Sequence, residues 1–456
     1  MSELTELYEK SLRTLEFPRV LEMLCAQCVT QAAKDKCAAL RPSSTPREVA
    51  RLQEETTAAR DMMDRLGTPS FAGLKPVGAA LQRAELGGML NNRELLDIAA
   101  VLRATRAVSA YCDGDEERNC LRPLFRALTP DKALEDTITG SILSEEEIAD
   151  TASAALADIR RHIRSTSGKA REVLQKLIAS QASKYLQEAI ITIRSDRFVV
   201  PVKAEYRSMI PGLVHDVSAT GSTYFIEPMG AVKANNELRE LLSQEEKEIE
   251  RILRALSAQC AAQREVIAQN YDFLVELDAI FARGKLSYRL NCSAPRMEES
   301  GGFRFRRARH PLLDQKKAVP IDLRLGEDFD TLIVTGPNTG GKTVTLKTAG
   351  LLTVMAQCGL HLPVGDDSYF SVFSQVLADI GDCLLYTSPA VCLLPFAFFP
   401  WGQARPAGAV PHSGGREKGA AATSATAPLF SSRAPAKKLF PAVLPAEKCS
   451  APWDSE

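Results

Sequence analysis

The sequence has almost no net charge. Its 456 residues carry 56 Lys and Arg against 57 Asp and Glu, a formal net charge of −1. This excludes a uniformly basic nucleic-acid arm or an acidic tail as a description of the whole, so any nucleic-acid contact must come from a local patch. No apolar run reaches the ~18 residues that a membrane-spanning helix needs. The first ten residues, Met1 to Lys10, are acidic and polar, so no secretion signal is read there. The eleven cysteines follow no framework. Without a secretion signal, they predict reduced thiols in a cytoplasmic protein with no membrane partner. Tryptophan is nearly missing: Trp401 and Trp453 are the only two, and both fall in residues 383–456. That segment also holds ten of the 25 prolines but only seven Lys/Arg and four Asp/Glu, so two unlike sequences meet near Asp382.

What is present, 45% hydrophobic and 25% charged residues, is ordinary for a globular chain, and the length allows two to four domains at roughly 100–200 residues each. Residues 1–128 read as a helical core. Leu12 and Leu15 share a helical stripe that Val20, Leu21 and Leu24 continue beyond Pro18, which separates two short helices. Thr45-Pro46-Arg47-Glu48 reads as a helix start running to about Met63, and Asn91-Asn92-Arg93-Glu94 as another.

Two longer helices follow. Residues 154–187 carry Leu156, Ile159, Ile163, Val173, Leu174 and Leu177 on one stripe, a helix of about 50 Å. A second runs from Val232 to Ala282 with Leu238, Leu242, Ile249, Ile252 and Leu256 inward and alternating Glu and Lys/Arg outward. Their lengths predict an antiparallel pair. Between them the period changes to that of strands at Ile190–Arg194, Arg197–Val202, Gly212–Asp216 and Ser222–Glu227, with turn residues at Ser195-Asp196, Ile210-Pro211-Gly212 and Ala219-Thr220-Gly221.

From Phe303 the pattern reads as α/β. Thr331-Leu332-Ile333-Val334-Thr335 predicts a buried parallel strand, and a helix then extends to about Gln357 with Gly359 at its αL cap. Between strand and helix stands Gly336-Pro337-Asn338-Thr339-Gly340-Gly341-Lys342-Thr343, which fits the P-loop pattern. In that context the loop amides and the helix N-terminus would wrap the phosphates of ATP. Lys342 would reach the β- and γ-phosphates, and the Thr343 hydroxyl would ligate Mg²⁺. Hydrolysis further needs an acidic residue at the end of a second apolar strand. Val376-Leu377-Ala378-Asp379 follows too soon, and nothing after Asp382 fits.

The stretch Ile333–Thr348 resembles the P-loop of the MutS family, in particular its MutS-two branch. Arg309-His310-Pro311-Leu312-Leu313 is similar to the family's lead-in to the ATPase domain. Phe198–Arg207 and Pro211–Gly221 resemble the branch's β insertion, and Asn235–Leu241 the start of its returning lever helix. The likeness covers about residues 8–382. It implies a mixed fold: an α-helical core and long lever helices with a small β clamp-like insertion, then an incomplete α/β P-loop (ABC-type) ATPase domain. The implied segments are the core over 1–128, the outgoing lever over 129–187, the β insertion over 188–231, the returning lever over 232–295 and the ATPase domain over 303–382. The resemblance implies a dimeric ATPase that binds branched or mismatched DNA, suppresses recombination and splits collided ribosomes, so its partners would be DNA, rRNA and a second copy. Relatives continue into a signature segment, a Walker B pair and a Smr nuclease domain. Here Cys383-Leu384-Leu385-Tyr386-Thr387-Ser388-Pro389 intervenes, resembling translated adapter sequence. Residues 383–456 are therefore read as an artefact or a proline-rich disordered tail, and the chain as C-terminally truncated. Nucleotide binding without turnover is the expectation, with residues 303–382 unstable on their own.

Residues 154–207 hold eleven Lys/Arg against five Asp/Glu. Arg160, Arg161, Arg164, Lys169, Arg171, Arg197, Lys203 and Arg207 are the candidate phosphate contacts, set against the plainer reading of a solvated helix face. A second function class stays open, a non-enzymatic nucleic-acid-binding lever and clamp module. Cys25 and Cys28 form a lone Cys-x-x-Cys and read as core thiols. The five histidines are scattered, His310 reading as structural, and the run Arg304, Arg306, Arg307, Arg309 reads as a solvated strand face.

Overall fold

A computed structural model of the protein describes residues 3–113, 119–334 and 341–378, together with the backbone of 397–400. In chain order it forms α1 (Glu3–Thr14), α2 (Phe17–Cys25), α3 (Gln31–Ala38), α4 (Pro46–Leu66), α5 (Gly78–Glu85), α6 (Asn92–Asp113), α7 (Arg122–Ala127), α8 (Lys132–Ser141) and α9 (Ala154–Ile178). Strands β1 (Thr192–Arg194), β2 (Arg197–Lys203), β3 (Gly212–Val217) and β4 (Thr223–Pro228) follow, then α10 (Met229–Ala262) and α11 (Arg264–Arg289). The remainder is β5 (Arg296–Met297), β6 (Phe303–Ala308), β7 (Ile321–Leu325), α12 (Lys342–Gln357), β8 (Tyr369–Phe370), β9 (Phe373–Leu377) and β10 (Ala397–Pro400). The chain divides into two units, one of Met1–Phe71, Tyr111–Phe125 and Val275 onward, the other of Ala72–Ala110 and Arg126–Leu274.

The first unit is built around α12. Leu351, Leu352, Val354, Met355 and Ala356 are all fully buried, so the second half of this helix is enclosed on every side rather than along one stripe. Its far end closes in a Schellman arrangement. Leu360 N–H donates to the Met355 carbonyl at 3.1 Å and Gly359 N–H to the Ala356 carbonyl at 3.0 Å. Gly359 takes φ +73°, and a Cβ there would sit 2.4 Å from the Leu52 Cβ of α4. Around this turn α4 supplies donors: Gln53 Nε2 to the Ala356 and Leu360 carbonyls, and Thr56 Oγ1 to the Gly359 carbonyl at 2.6 Å. Gln357 Nε2 donates to the Ser43 and Phe373 carbonyls, and the Ala378 amide donates to Ser11 Oγ of α1.

Elsewhere in this unit the buried Asp278 of α11 accepts from the Val29 and Thr30 amides and from Thr30 Oγ1, fixing the start of α3. Phe281 packs edge-on against Phe125 and Tyr111. Pro18 sits in the first turn of α2, and Glu16 in the left-handed region turns the chain from α1 into it. Sheet order is β5-β8-β6-β7, with β6 antiparallel to both neighbours and β5 parallel to β8. β10, which belongs to the segment expected to be foreign or disordered, pairs antiparallel with β9. An Ala-Phe-Phe run is β-prone and β9 offers it an edge.

The second unit holds the expected helix pair. Links join Ser153 to Glu248 (2.6 Å), Arg160 to Glu245 (2.7 Å) and Thr166 to Glu237 (3.3 Å). Residue numbers rise along α9 as they fall along α10, so the pair is antiparallel. Both helices are shorter than expected. α9 stops at Ile178, giving about 37 Å, because Ser180 redirects the chain by capping a 3-10 turn over Gln181–Tyr185. The returning helix breaks at Gln263, which leaves helical geometry at φ −104°, ψ 11°.

The four strands form where expected, in the order β1-β2-β4-β3 and all antiparallel. Ser195 and Asp196 both take positive φ, the two-residue turn that matches strand twist. Phe198, Val200, Val202 and Ile226 pack on Ala170 and Leu174 of α9 and on Ala231 and Leu238 of α10. Beside this apolar core lies Glu227, 0% exposed. It accepts from Arg197 at 2.9 Å, from Asn235 Nδ2 at 2.7 Å, and contacts His215 Nε2 at 2.5 Å, joining three strands to α10.

Gly359→Ala should lower stability by about 3 kcal/mol, combining the left-handed strain of a Cβ with its overlap on Leu52. Urea unfolding followed by far-UV circular dichroism checks this, with Gly73→Ala, whose positive φ meets open space, losing only the strain component.

Candidate nucleotide site and nucleic-acid interface

The sequence places the P-loop at the head of α12, and the described part of it agrees with that placement. Gly341 is the N-cap at φ 77°, a conformation glycine adopts without cost. Lys342, half-buried, and Thr343, exposed, are the first two helical residues. No acidic side chain belongs to the first turn of the helix, whose N-terminus carries the positive end of the dipole. Gly336, Pro337, Asn338, Thr339 and Gly340 lie outside the described residues. The expected buried strand over 331–335 is different: Thr331 is exposed, Leu332 to Val334 are half-buried, and only Ile333 is bridged. A parallel strand is buried by flanking strands, whereas β5 to β8 form their own sheet among the described residues.

One and a half turns along, Lys347 Nζ lies 3.2 Å from Glu16 Oε2. Neighbouring His310 is buried, with the Leu312 amide on Nδ1. Burial pushes its pKa down to about 4, against the opposing pull of Glu16. His361 is likewise pushed down to about 4 by burial, its ring nitrogens meeting Thr57 Oγ1 at 3.0 Å and Ser287 Oγ at 2.9 Å. Both imidazoles are neutral structural groups. No cluster of His, Cys, Asp or Glu suited to a metal occurs among the described residues. Cys28 lies against Cys37, Sγ to Sγ 3.5 Å, inside the core. In the basic run, Arg304 pairs with Glu327 at 2.5 Å and lies over the Tyr369 ring, while Arg306 and Arg307 are exposed.

The basic candidates of the second unit separate into two groups. Arg160 is engaged within the protein, its guanidinium spanning Asp150, Glu245 and the Ile148 carbonyl, all at 2.6–2.7 Å. Arg197 is spent on the buried Glu227 and on Asn236. Both charges are already matched, because each faces a carboxylate that holds two elements together. Arg161, Arg164, Lys169, Arg171 and Arg207 are exposed, and Lys203 is half-buried. Arg161 and Arg164 make surface pairs with Asp158 and Asp150, which cost little to exchange for phosphate.

Four aromatic rings of this unit have cations over them. Arg171 lies on Phe198, Lys184 on Tyr185, Arg194 on Phe225 and Arg207 on Tyr224, at 4.3–5.2 Å from the ring centroids. Lys184, Tyr185, Arg194, Tyr206 and Tyr224 were not singled out from sequence. The adjacent pairs Lys184-Tyr185 and Tyr206-Arg207 are the signal that would have found them.

These features define a helical protein with an antiparallel helix pair leading to a four-stranded β module, and a Gly-Lys-Thr-headed helix in its other unit. No family model matches the chain. It is 46% identical to the Endonuclease MutS2 of Acetivibrio thermocellus over 379 residues, 82% of this chain and 48% of that protein. It is 46% identical over 378 residues to the Endonuclease MutS2 of Agathobacter rectalis and 46% over 376 residues to that of Pelotomaculum thermopropionicum, with the same shares covered. The chain spans about half the length of the curated relatives it matches. Over that matched portion it belongs to the MutS2 family.

The neutral imidazoles carry a pH signature. Folded pKa values of about 4 lie below the unfolded value near 6.5. The unfolded chain therefore binds the extra protons, and stability falls as pH drops from about 6.5 towards about 4. Acidifying from pH ~7 to pH ~5 should cost about 2 kcal/mol per histidine. Urea midpoints across that range check this, and His361→Asn should flatten the slope by roughly half.

Proposed function

We propose that the chain forms the nucleotide-binding and nucleic-acid-engaging portion of a MutS2-type protein, a dimeric ATPase acting on branched DNA or on rRNA of collided ribosomes. The observation carrying this reading is the described end of the P-loop. Gly341 is left-handed, Lys342 and Thr343 open a helix with no acidic first-turn residue, and the second half of that helix is enclosed by the core. These residues fit a magnesium-bound nucleoside triphosphate, because the glycine admits close backbone approach and the helix N-terminus favours an anion. Gly336 to Thr343 would hold the phosphates, with Lys342 towards the terminal ones and Thr343 towards the metal. When bound, ATP supplies a cleavable phosphoanhydride.

The chain's own part is to bind, orient and transmit. The head of α12 meets the phosphates, while its far end is held by α4 through Gln53, Thr56 and Gly359. A displacement at Lys342 therefore reaches α4 without an intervening loop. Exposed cations along α9 would attract a nucleic-acid backbone. The name of the relatives, endonuclease, adds strand cleavage to what an intact protein of this type is proposed to do.

A non-enzymatic nucleic-acid-binding module is the second reading, favoured by the exposed Arg161, Arg164, Lys169 and Arg171 lying in a different unit from the P-loop. Equilibrium titration with a fluorescent ATP analogue separates the two. Lys342→Ala should weaken binding by about 10- to 100-fold through loss of a charge-assisted contact, and Thr343→Ala should remove its Mg²⁺ dependence. Equal affinity in wild type and Lys342→Ala would overturn the nucleotide site. Salt-sensitive nucleic-acid binding indifferent to that substitution would then leave the second reading.

A further inference from the structure

One continuous patch of the β module combines planar groups with cations in a way that backbone-phosphate binding does not require. Leu186 bridges to Val202, Val202 pairs with Tyr224, and Lys203 pairs with Thr223, so the turn that follows α9, the end of β2 and the start of β4 meet at one end of the sheet. Around that end the side chains run in an unbroken series. The Lys184 ammonium lies 5.0 Å from the Tyr185 ring centroid. Tyr185 and Tyr206 rings are 5.2 Å apart. Arg207, next in sequence, places its guanidinium 5.0 Å from the Tyr224 centroid.

All three tyrosine rings rest on the module's apolar core. Their phenol oxygens make no hydrogen bond among the described residues, and none is a buried unsatisfied atom, so each reaches water. Lys184 and Arg207 are exposed and Lys203 is half-buried. Glu205 is the one carboxylate on the short helix between Lys203 and Arg207. The patch thus carries three cations against one anion.

A guanidinium already parked over a ring has given up much of its rotamer freedom, and its outer face is flat. A nucleobase can stack there, or on a tyrosine pair, while neighbouring ammonium groups take the flanking phosphates. A base inside an intact duplex has both faces occupied by its neighbours, so this chemistry selects unpaired strands. We propose that the patch formed by Lys184, Tyr185, Lys203, Tyr206, Arg207 and Tyr224 binds unpaired nucleobases, of DNA or RNA, with Arg207 as the stacking platform. The proposal rests on the reading that the second unit engages nucleic acid, and it names the form of nucleic acid recognised there.

The test uses the full chain and fluorescence anisotropy with four labelled probes: an oligothymidylate, an oligouridylate, an abasic strand of the same length and a blunt duplex. Wild type should bind the two base-bearing strands about tenfold more tightly than the abasic strand. Arg207→Lys, which keeps the charge and loses the plane, should lower affinity for the base-bearing strands by about fivefold or more and leave the abasic strand and duplex unchanged. Lys184→Ala should weaken all four probes and reduce the salt slope by about one. The DNA and RNA arms identify the source. Equal binding of abasic and base-bearing strands, or an Arg207→Lys variant indistinguishable from wild type, would overturn the stacking patch while leaving nucleic-acid engagement standing. Failure of all four probes to bind would instead overturn the underlying reading. Far-UV circular dichroism spectra and urea midpoints of Arg207→Lys and Lys184→Ala matching wild type control for altered folding.

Discussion

A helical segment buried all round can exist in water only if other elements enclose it, and the second half of α12 is such a segment. Its residues from Leu351 to Ala356 leave no face for solvent. The enclosure comes from sequence more than 300 positions away: Gln53 and Thr56 of α4 reach the carbonyls at the end of α12, Ser11 of α1 holds Ala378, and Ser43 receives Gln357. The helix carrying Lys342 is therefore part of the same core as the N-terminal helices. The main helix of 303–382 is completed by groups from α4 and from Ser43.

Polar satisfaction decides how close that packing can be. The last turn of a helix leaves carbonyls without intrahelical donors. Here the Schellman bonds and the amide and hydroxyl of Gln53 and Thr56 cover them, and the absence of a Cβ at Gly359 lets α4 come near enough to do so. The Lys347–Glu16 pair performs a similar service nearer the head, tying α12 to the start of α2.

Much of the β module and the helix pair could be read from sequence because their periods are unambiguous. Arg197 to Val202 alternates or runs apolar between two turn signals, and Ser195-Asp196 has the chemistry of a two-residue hairpin. Helix lengths were less legible. Nothing in Ala261-Ala262-Gln263-Arg264 announces a break, since no Pro or Gly stands there. The stretch after Phe303 was read as α/β because Thr331–Thr335 is apolar and β-branched. Its described part contains a mixed sheet, β6 antiparallel to β7 and β8 and β5 parallel to β8, whose pairing depends on contacts distant in sequence. For the basic candidates, sequence counted charges but could not say which were already matched. Arg160 and Arg197 look like Arg161 and Arg164 in a list of residues, yet only the former face carboxylates across the packing seam. Gly336 to Gly340 remain a reading of the motif, with Gly341 to Thr343 as its described end.

The links between α9 and α10 have a mechanical meaning. Ser153–Glu248, Arg160–Glu245 and Thr166–Glu237 are spread along the first half of α9. A slip of one helix past the other by a single turn, about 5.4 Å, would break all three together. Resistance to shear is thus distributed rather than concentrated at one point. Two rods pinned at several stations bend as one beam, far stiffer than either rod alone, so a push at one end of the pair emerges at the β module as displacement instead of being lost in sliding.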